Sequence, residues 1–163
     1  METLARIEET ALSIWFRESD IAFFTSLTLH SLTMALVVGV NFAIAFRLIK
    51  IVPEFALKPF LKFYQLYWLA VIVVFLSGLA LLFAYPAKAL TNPVFYLKFS
   101  FLTIGLMISG WLQNQIHNLN NGEQIQGKFF WIATLSILVW IGTVTTGRFL
   151  AYTNSVLLAS RFF

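Results

Sequence analysis

The 163-residue sequence contains no cysteine, and only 11% of its residues are charged. Without cysteine it has no disulfides, thiolate metal sites, iron–sulfur clusters or haem attached through thioether bonds. Soluble domains carry about 25% charged residues. The much lower charged fraction of this chain excludes a water-soluble enzyme or nucleic-acid-binding protein. The net charge of +4 does not create a basic face, because the cations are scattered between apolar runs. We therefore expect no nucleic-acid partner.

Acidic residues are scarce, and none lies within an apolar segment. Proton relays and ion-coupled transporters usually place a carboxylate at membrane depth, and paired-carboxylate catalysis and carboxylate-bound metals need the same group. This distribution argues against a proton-driven pump. We recognise no catalytic motif, so whether the protein is an enzyme stays open. The acids are Glu2, Glu8, Glu9, Glu18, Asp20, Glu54 and Glu123.

The residues that are abundant are apolar. They make up 60% of the chain, with a mean hydropathy of +0.83, and they concentrate in four segments. A bilayer is crossed by about 20 helical residues, and at this length the spans must be helices, since unpaired backbone groups cannot face lipid. The sequence thus predicts an all-α, integral membrane four-helix bundle over residues 21–163. The predicted spans are 21–46, 63–85, 94–112 and 129–151.

The first 20 residues differ from the spans. They begin with acidic rather than basic residues, which does not fit a signal peptide. Apolar residues recur at helical spacing, with acidic residues on the other face, and this pattern favours a short amphipathic helix at the membrane interface. A solvated tail is the alternative. The apolar positions are Leu4, Ile7, Ala11, Ile14 and Trp15.

Basic residues in the short loops bear on orientation. The loop between the first two spans carries Arg47, Lys50, Lys58 and Lys62 against Glu54 alone. Cytoplasmic loops are enriched in Lys and Arg, so this loop is expected in the cytoplasm and both termini outside. The cations on the opposite side nearly balance this count.

Three ionisable residues lie within or near the spans, in the same half of the predicted bundle. We call the end at which the first span begins side A and the opposite end side B. His30 lies about 15 Å along the first span and Lys98 about 9 Å along the third, at 1.5 Å per residue. Arg148 lies close to the side-A end of the fourth span. The sequence therefore predicts a cationic layer in the side-A half.

His30 lies on a helical face more polar than its flanks, and we expect this face to point into the bundle. One interpretation is an axial ligand of a b-type haem, because neutral imidazole is a common iron ligand. The alternative is a buried histidine that is hydrogen-bonded to a neighbouring helix. The face consists of Ser26, His30, Met34, Val37 and Asn41.

The other candidate ligands are weaker. His117 lies about 22 Å further along the bundle axis than His30, so it cannot share an iron with it. Three roles are open for Lys98. It would reach the sixth position of the iron, extend to the lipid headgroups, or, together with Arg148, bind haem propionates or an anionic lipid. Met107 is a candidate weak axial ligand, with simple packing as the alternative.

Two glycines complete the set of predicted cofactor-binding residues. Gly105 forms a small-residue motif with Ser109 on the Lys98 face, and Gly78 follows Ser77 inside the second span. Small residues let helices approach closely, and glycine also admits a flat macrocycle against the backbone. Helix contact and a haem cradle are both compatible with these positions.

Short motifs along the chain resemble an uncharacterised bacterial family of four-span inner-membrane proteins. They are Trp15-Phe16, Leu29-His30-Ser31, Arg47-Leu48, Asn92-Pro93-x-Phe95-x-x-Lys98 and Gly147-Arg148-x-x-Ala151-Tyr152. The layout is similar to the copper-resistance D domain and to the four-span protoporphyrinogen oxidase. In the oxidase, a histidine of the first span and a lysine at the start of the third are linked to haem or porphyrin binding. His30 and Lys98 match those positions, while the rest of that enzyme's pattern is absent.

These observations lead to two functional hypotheses. In the first, a multi-pass protein of the bacterial inner membrane binds haem b or a porphyrin, with His30 as metal ligand, and acts as an electron-transfer or accessory subunit of a membrane redox complex. In the second, it is a non-catalytic structural or assembly subunit whose cations hold lipid. A quinone is a further candidate occupant, and other redox subunits are candidate partners alongside the lipid bilayer.

Overall fold

A computed structural model describes residues 6–52, 59–118 and 127–159. These residues form helices joined by short connections, which confirms the all-α prediction. We number the helices in chain order: α1 (Ala11–Glu18), α2 (Asp20–Leu48), α3 (Phe60–Ala84), α4 (Pro86–Leu90), α5 (Pro93–Asn118) and α6 (Gly127–Ala159).

Polar side chains define where several helices begin. The side chain of Ser19 accepts a hydrogen bond from the Ala22 amide at 3.3 Å, and Oδ1 of Asn92 accepts one from the Val94 amide at 3.0 Å. Each satisfies an amide that has no partner within its own helix. Ser19 and Asn92 therefore cap the helices of the first and third spans.

Four helices, α2, α3, α5 and α6, are long and apolar enough to cross a membrane. Two of them continue past the predicted spans: α5 reaches Asn118 and α6 reaches Ala159. Their predicted limits were set by hydropathy, but a helix need not end where the apolar run ends, because polar residues can continue the backbone hydrogen bonds into water. Residues 119–126, and with them most of the polar stretch after the third span, lie outside the described residues.

The four long helices associate as two tight pairs. α2 packs along α3, α5 packs along α6, and α2 also contacts α6 to join the pairs, whereas α3 and α5 touch only sparsely. The short helix α1 lies against α2 and α3 at side A, where Ser13 Oγ donates to the Phe83 carbonyl at 2.9 Å. The predicted amphipathic segment thus contains a helix, while residues 1–5 are outside the described part.

The side-B half of the bundle is closely packed. Trp140 of α6 is fully buried against Gly105 of α5, where an added Cβ would lie 3.1 Å from the indole Cε2. Beside it, the Asn41 amide donates to the Tyr67 hydroxyl at 3.3 Å and accepts from the Ser109 hydroxyl. This Asn41–Tyr67–Ser109 network joins α2, α3 and α5.

Candidate functional site

The side-A half contains a cavity of about 300 Å³. All four long helices line it, and Tyr85 and Ala89 border it at the side-A end. Its walls are almost entirely aliphatic and aromatic, and the exceptions are His30 of α2 and Lys98 of α5. An apolar pocket with a few convergent polar groups is the usual form of a small-molecule site, and such sites occupy about 300–1,000 Å³.

His30 is held by the backbone and a side chain of α3. Its Nδ1 lies 3.1 Å from the Val74 carbonyl and 3.1 Å from Ser77 Oγ. Ser77 Oγ donates its own proton to the Val73 carbonyl at 2.6 Å. Both partners of Nδ1 are therefore acceptors, and we infer that Nδ1 is the ring nitrogen that carries the proton.

This arrangement leaves the other ring nitrogen available. Among the residues that the structure describes, no hydrogen bond reaches His30 Nε2, and the ring lines the cavity. Metal-ligating histidines almost always donate their second ring N–H to a carbonyl, a carboxylate or water, which orients the ring and presents the other nitrogen. His30 has the same geometry: its Nδ1 is bound to α3, while its Nε2 has no hydrogen bond among the described residues.

Lys98 reaches the same cavity from α5. Its aliphatic stem runs past Gly147 of α6, where an added Cβ would lie 3.6 Å from Lys98 Cε. Within 6–52, 59–118 and 127–159, the ion pair that forms is Arg17–Glu8 at side A, and none involves Lys98. The cavity thus contains a nitrogen base and an ammonium group without a protein counter-ion.

Gly78 determines how closely the His30 ring approaches α3. A Cβ at Gly78 would lie 3.3 Å from His30 Cε1 and 3.6 Å from Nδ1. A 3.3 Å contact is closer than ordinary van der Waals distance, so a larger residue would displace the ring. Gly78, His30 and Lys98 are the predicted site residues that the structure brings to one cavity.

Three other predicted residues lie outside the lining of this cavity. Met107 is 70% exposed on the outer face of α5, so it does not point toward His30. Gly105 lies on the Lys98 face, as predicted, but Trp140 fills the space above it and no room for a macrocycle remains. Arg148 is exposed and is not among the residues that line the cavity.

The residues present fit a b-type haem in part. His30 offers one oriented nitrogen, Lys98 offers a cation for a propionate, and the walls are apolar. In the described part of the chain no three His, Cys, Asp or Glu residues cluster to hold a metal ion. With Met107 on the outer surface, His30 and Lys98 are the described side chains that bring a nitrogen to the cavity, and the cavity volume is at the lower end of the range for ligand sites.

Several features of the site were not found from the sequence. Ser77 was noted for helix packing and not as a partner of His30, although a serine on the inward face of a facing span was an available signal. The side-A end is covered by aromatic contacts: Phe23 packs edge-to-face on Tyr85, and the Arg17 guanidinium lies 5.6 Å from the centre of that ring. These contacts depend on the angle at which α1 meets α3.

No protein-family model, no curated protein and no solved structure matches this chain.

Proposed function

We propose that this multi-pass membrane protein binds a haem b or a related porphyrin in its side-A cavity and serves as an electron-transfer or accessory subunit of a membrane redox complex. The observation that carries the proposal is the His30 ring, whose Nδ1 lies 3.1 Å from the Val74 carbonyl and whose Nε2 is left for the cavity. Iron in such a site would supply one-electron redox chemistry. His30 would orient it, and the apolar walls would exclude water.

The first test is an absorption spectrum of protein expressed with sufficient haem and purified in detergent. We expect a Soret band that is lost in His30→Ala. The chain has two histidines, and His117, at the far end of α5, provides a matched control: His117→Ala should keep the band. If His30→Ala folds poorly, added imidazole should restore both the band and the folded fraction.

The proposal fails if the folded, haem-supplied protein is colourless, or if the band survives in His30→Ala. Helical content by circular dichroism and a single gel-filtration peak establish that the variants are folded.

A second candidate function is a non-catalytic structural or assembly subunit whose cations hold lipid. The exposed Arg148, near the side-A end of the span Gly127–Tyr152, favours it, because cations near membrane interfaces attract anionic headgroups. Native mass spectrometry distinguishes the two functions. Anionic lipid that is retained by the wild type and lost in Arg148→Gln, in a colourless sample, supports the structural role, whereas retained haem supports the first function.

A further inference from the structure

The long helices leave one side of the cavity open. α3 and α5 touch sparsely along their length. Near side B they are held together by Trp68 Nε1, which donates to Gln113 Oε1 at 2.8 Å. At side A, the short helix α4 lies between them, and the Tyr96 hydroxyl of α5 donates to its Leu90 carbonyl at 2.9 Å. Between these two hydrogen-bonded ends, α3 and α5 contact each other only sparsely.

The side chains that border this gap belong both to the cavity and to the outer surface. Phe75 of α3 and Phe99 of α5 line the cavity, yet they are 54% and 40% exposed. Because both side chains line a cavity that is not sealed and are also largely accessible, we infer that the cavity opens between them. Both lie within membrane spans, and the opening therefore faces the hydrocarbon of the bilayer rather than water.

The charge inside the cavity constrains what can occupy it. Lys98 lies in the span Pro93–Asn118, and no acid of the chain lies within a span beyond Asp20 at the first residue of α2. A cation at the centre of a bilayer costs about 2.5–3.5 kcal/mol on insertion scales, and less toward the ends. Because no acid of the described spans lies deeper than Asp20, an acidic group on the ligand is the natural partner of Lys98.

From these observations we propose that the cavity is loaded from within the bilayer, through the opening between α3 and α5, by an apolar molecule that carries a carboxylate to Lys98. The inference rests on the proposed function in one respect, that the cavity binds a ligand. The shared chemistry is an apolar body with a carboxylate, and it has two sources: a porphyrin with its propionates, or a long-chain fatty acid.

The ligand chemistry is tested with two probes in vesicles of neutral phosphatidylcholine: haemin, and the fluorescent fatty acid cis-parinaric acid. We expect Lys98→Met, which keeps the length and loses the charge, to weaken binding of the acid at least tenfold, and Lys98→Arg to retain it. The methyl ester of cis-parinaric acid is the matched control, and its binding should not change in Lys98→Met. Equal binding of acid and ester to the wild type would overturn the role of Lys98.

The route is tested by bridging the opening. Because the chain has no cysteine, a Phe75→Cys, Phe99→Cys double variant reacts with a bismaleimide at these two positions alone. A linker with an internal disulfide makes the bridge reversible. We expect bridging to slow the uptake of haemin or cis-parinaric acid, whichever binds, from vesicles at least tenfold. Reduction of the linker should restore the rate seen in the unbridged double variant. An unchanged rate after complete bridging would refute the route.

The two proposals fail separately. If cis-parinaric acid binds through Lys98 and haemin does not bind, the haem function is wrong and the carboxylate site stands. If haemin binds through His30 but Lys98→Met has no effect on it or on the acid, the haem function stands and the inference is wrong. Binding of neither probe refutes both.

Discussion

The two halves of this bundle are built from the same four helices and are packed in opposite ways. At side B, Trp140 fills the space beside Gly105, and the Asn41–Tyr67–Ser109 network ties three helices together. At side A, α3 and α5 separate, and a cavity of about 300 Å³ remains around His30 and Lys98. The closely packed half joins three helices by direct contacts, whereas the open half leaves a space between them.

The glycines show how the same residue type serves each half. Gly105 at side B admits a large aromatic ring of the neighbouring helix, and Gly78 at side A admits a histidine ring that also borders the cavity. In lipid, helix association depends on packing and on interhelical hydrogen bonds, since lipid tails are as apolar as the side chains. Small residues therefore determine where the helices approach closely.

The largest difference between the halves is expected from truncating a leucine in each half of α5. Leu112 is fully buried at side B, whereas Leu102 borders the cavity. Leu→Ala in a packed core costs about 2–5 kcal/mol. We expect Leu112→Ala to reach this range and Leu102→Ala to cost clearly less, because one side of Leu102 already faces a void. Unfolding in mixed detergent micelles measures both, and equal losses would contradict the contrast between the halves.

The next effect is expected at the contact between α5 and α6. A Cβ at Gly105 would lie 3.1 Å from Trp140, whereas a Cβ at Gly110 would meet nothing within 4 Å. Overpacking a core costs about 1–3 kcal/mol, so Gly105→Ala should lower the melting temperature. Gly110→Ala, on the same helix, should raise it slightly through the better helix propensity of alanine. A stable Gly105→Ala protein would show that the side-B half can relax.

A smaller effect is expected from removing a polar group in each half. Asn41→Leu removes hydrogen bonds to Tyr67 and Ser109, and interhelical hydrogen bonds in membranes are worth about 0.6 kcal/mol on average, with a maximum of about 1.7. Ser77→Ala should cost less, because His30 Nδ1 keeps the Val74 carbonyl as acceptor. A double-mutant cycle of Asn41→Leu with Tyr67→Phe measures the coupling, and a coupling of zero would mean that the network does not join the helices.

The smallest effect is expected at the cavity glycines. A Cβ at Gly147 would lie 3.6 Å from Lys98 Cε, an ordinary contact, and one at Gly78 would lie 3.3 Å from His30 Cε1. Gly→Ala within a helix gains about 0.5–1 kcal/mol. Gly147→Ala should show this gain, and Gly78→Ala should show little of it while moving the His30 ring. The nitrogen-15 chemical shifts of the His30 imidazole, compared with those of His117, report the movement, and unchanged shifts would contradict it.

Much of the fold could be predicted from the sequence because lipid leaves few choices. Runs of about 20 apolar residues in a bilayer must be helical. Ser19 and Asn92 are residue types that commonly cap helices, and both directly precede an apolar segment. The inward face of α2 was also predictable: His30, Met34 and Val37 line the cavity and Asn41 is buried. The position of Met107 could also have been predicted: it follows Lys98 by nine residues, or about 2.5 helical turns, so an inward-facing Lys98 places Met107 on the outer face.

The amino-acid order alone determined four membrane-length helices and the level of the bilayer at which an imidazole and an ammonium group meet, since rise per residue converts position into depth, whereas α5 and α6 end beyond their predicted limits. The tertiary structure decided which neighbours those groups have. Val74 and Ser77 bind one nitrogen of the imidazole, and Trp140 packs against Gly105. α3 and α5 contact each other only sparsely, which leaves space beside Lys98. The reason is physical. Depth along a helix follows from the count of residues, whereas the rotation and spacing of helices follow from the combined shapes of side chains that lie far apart in the chain.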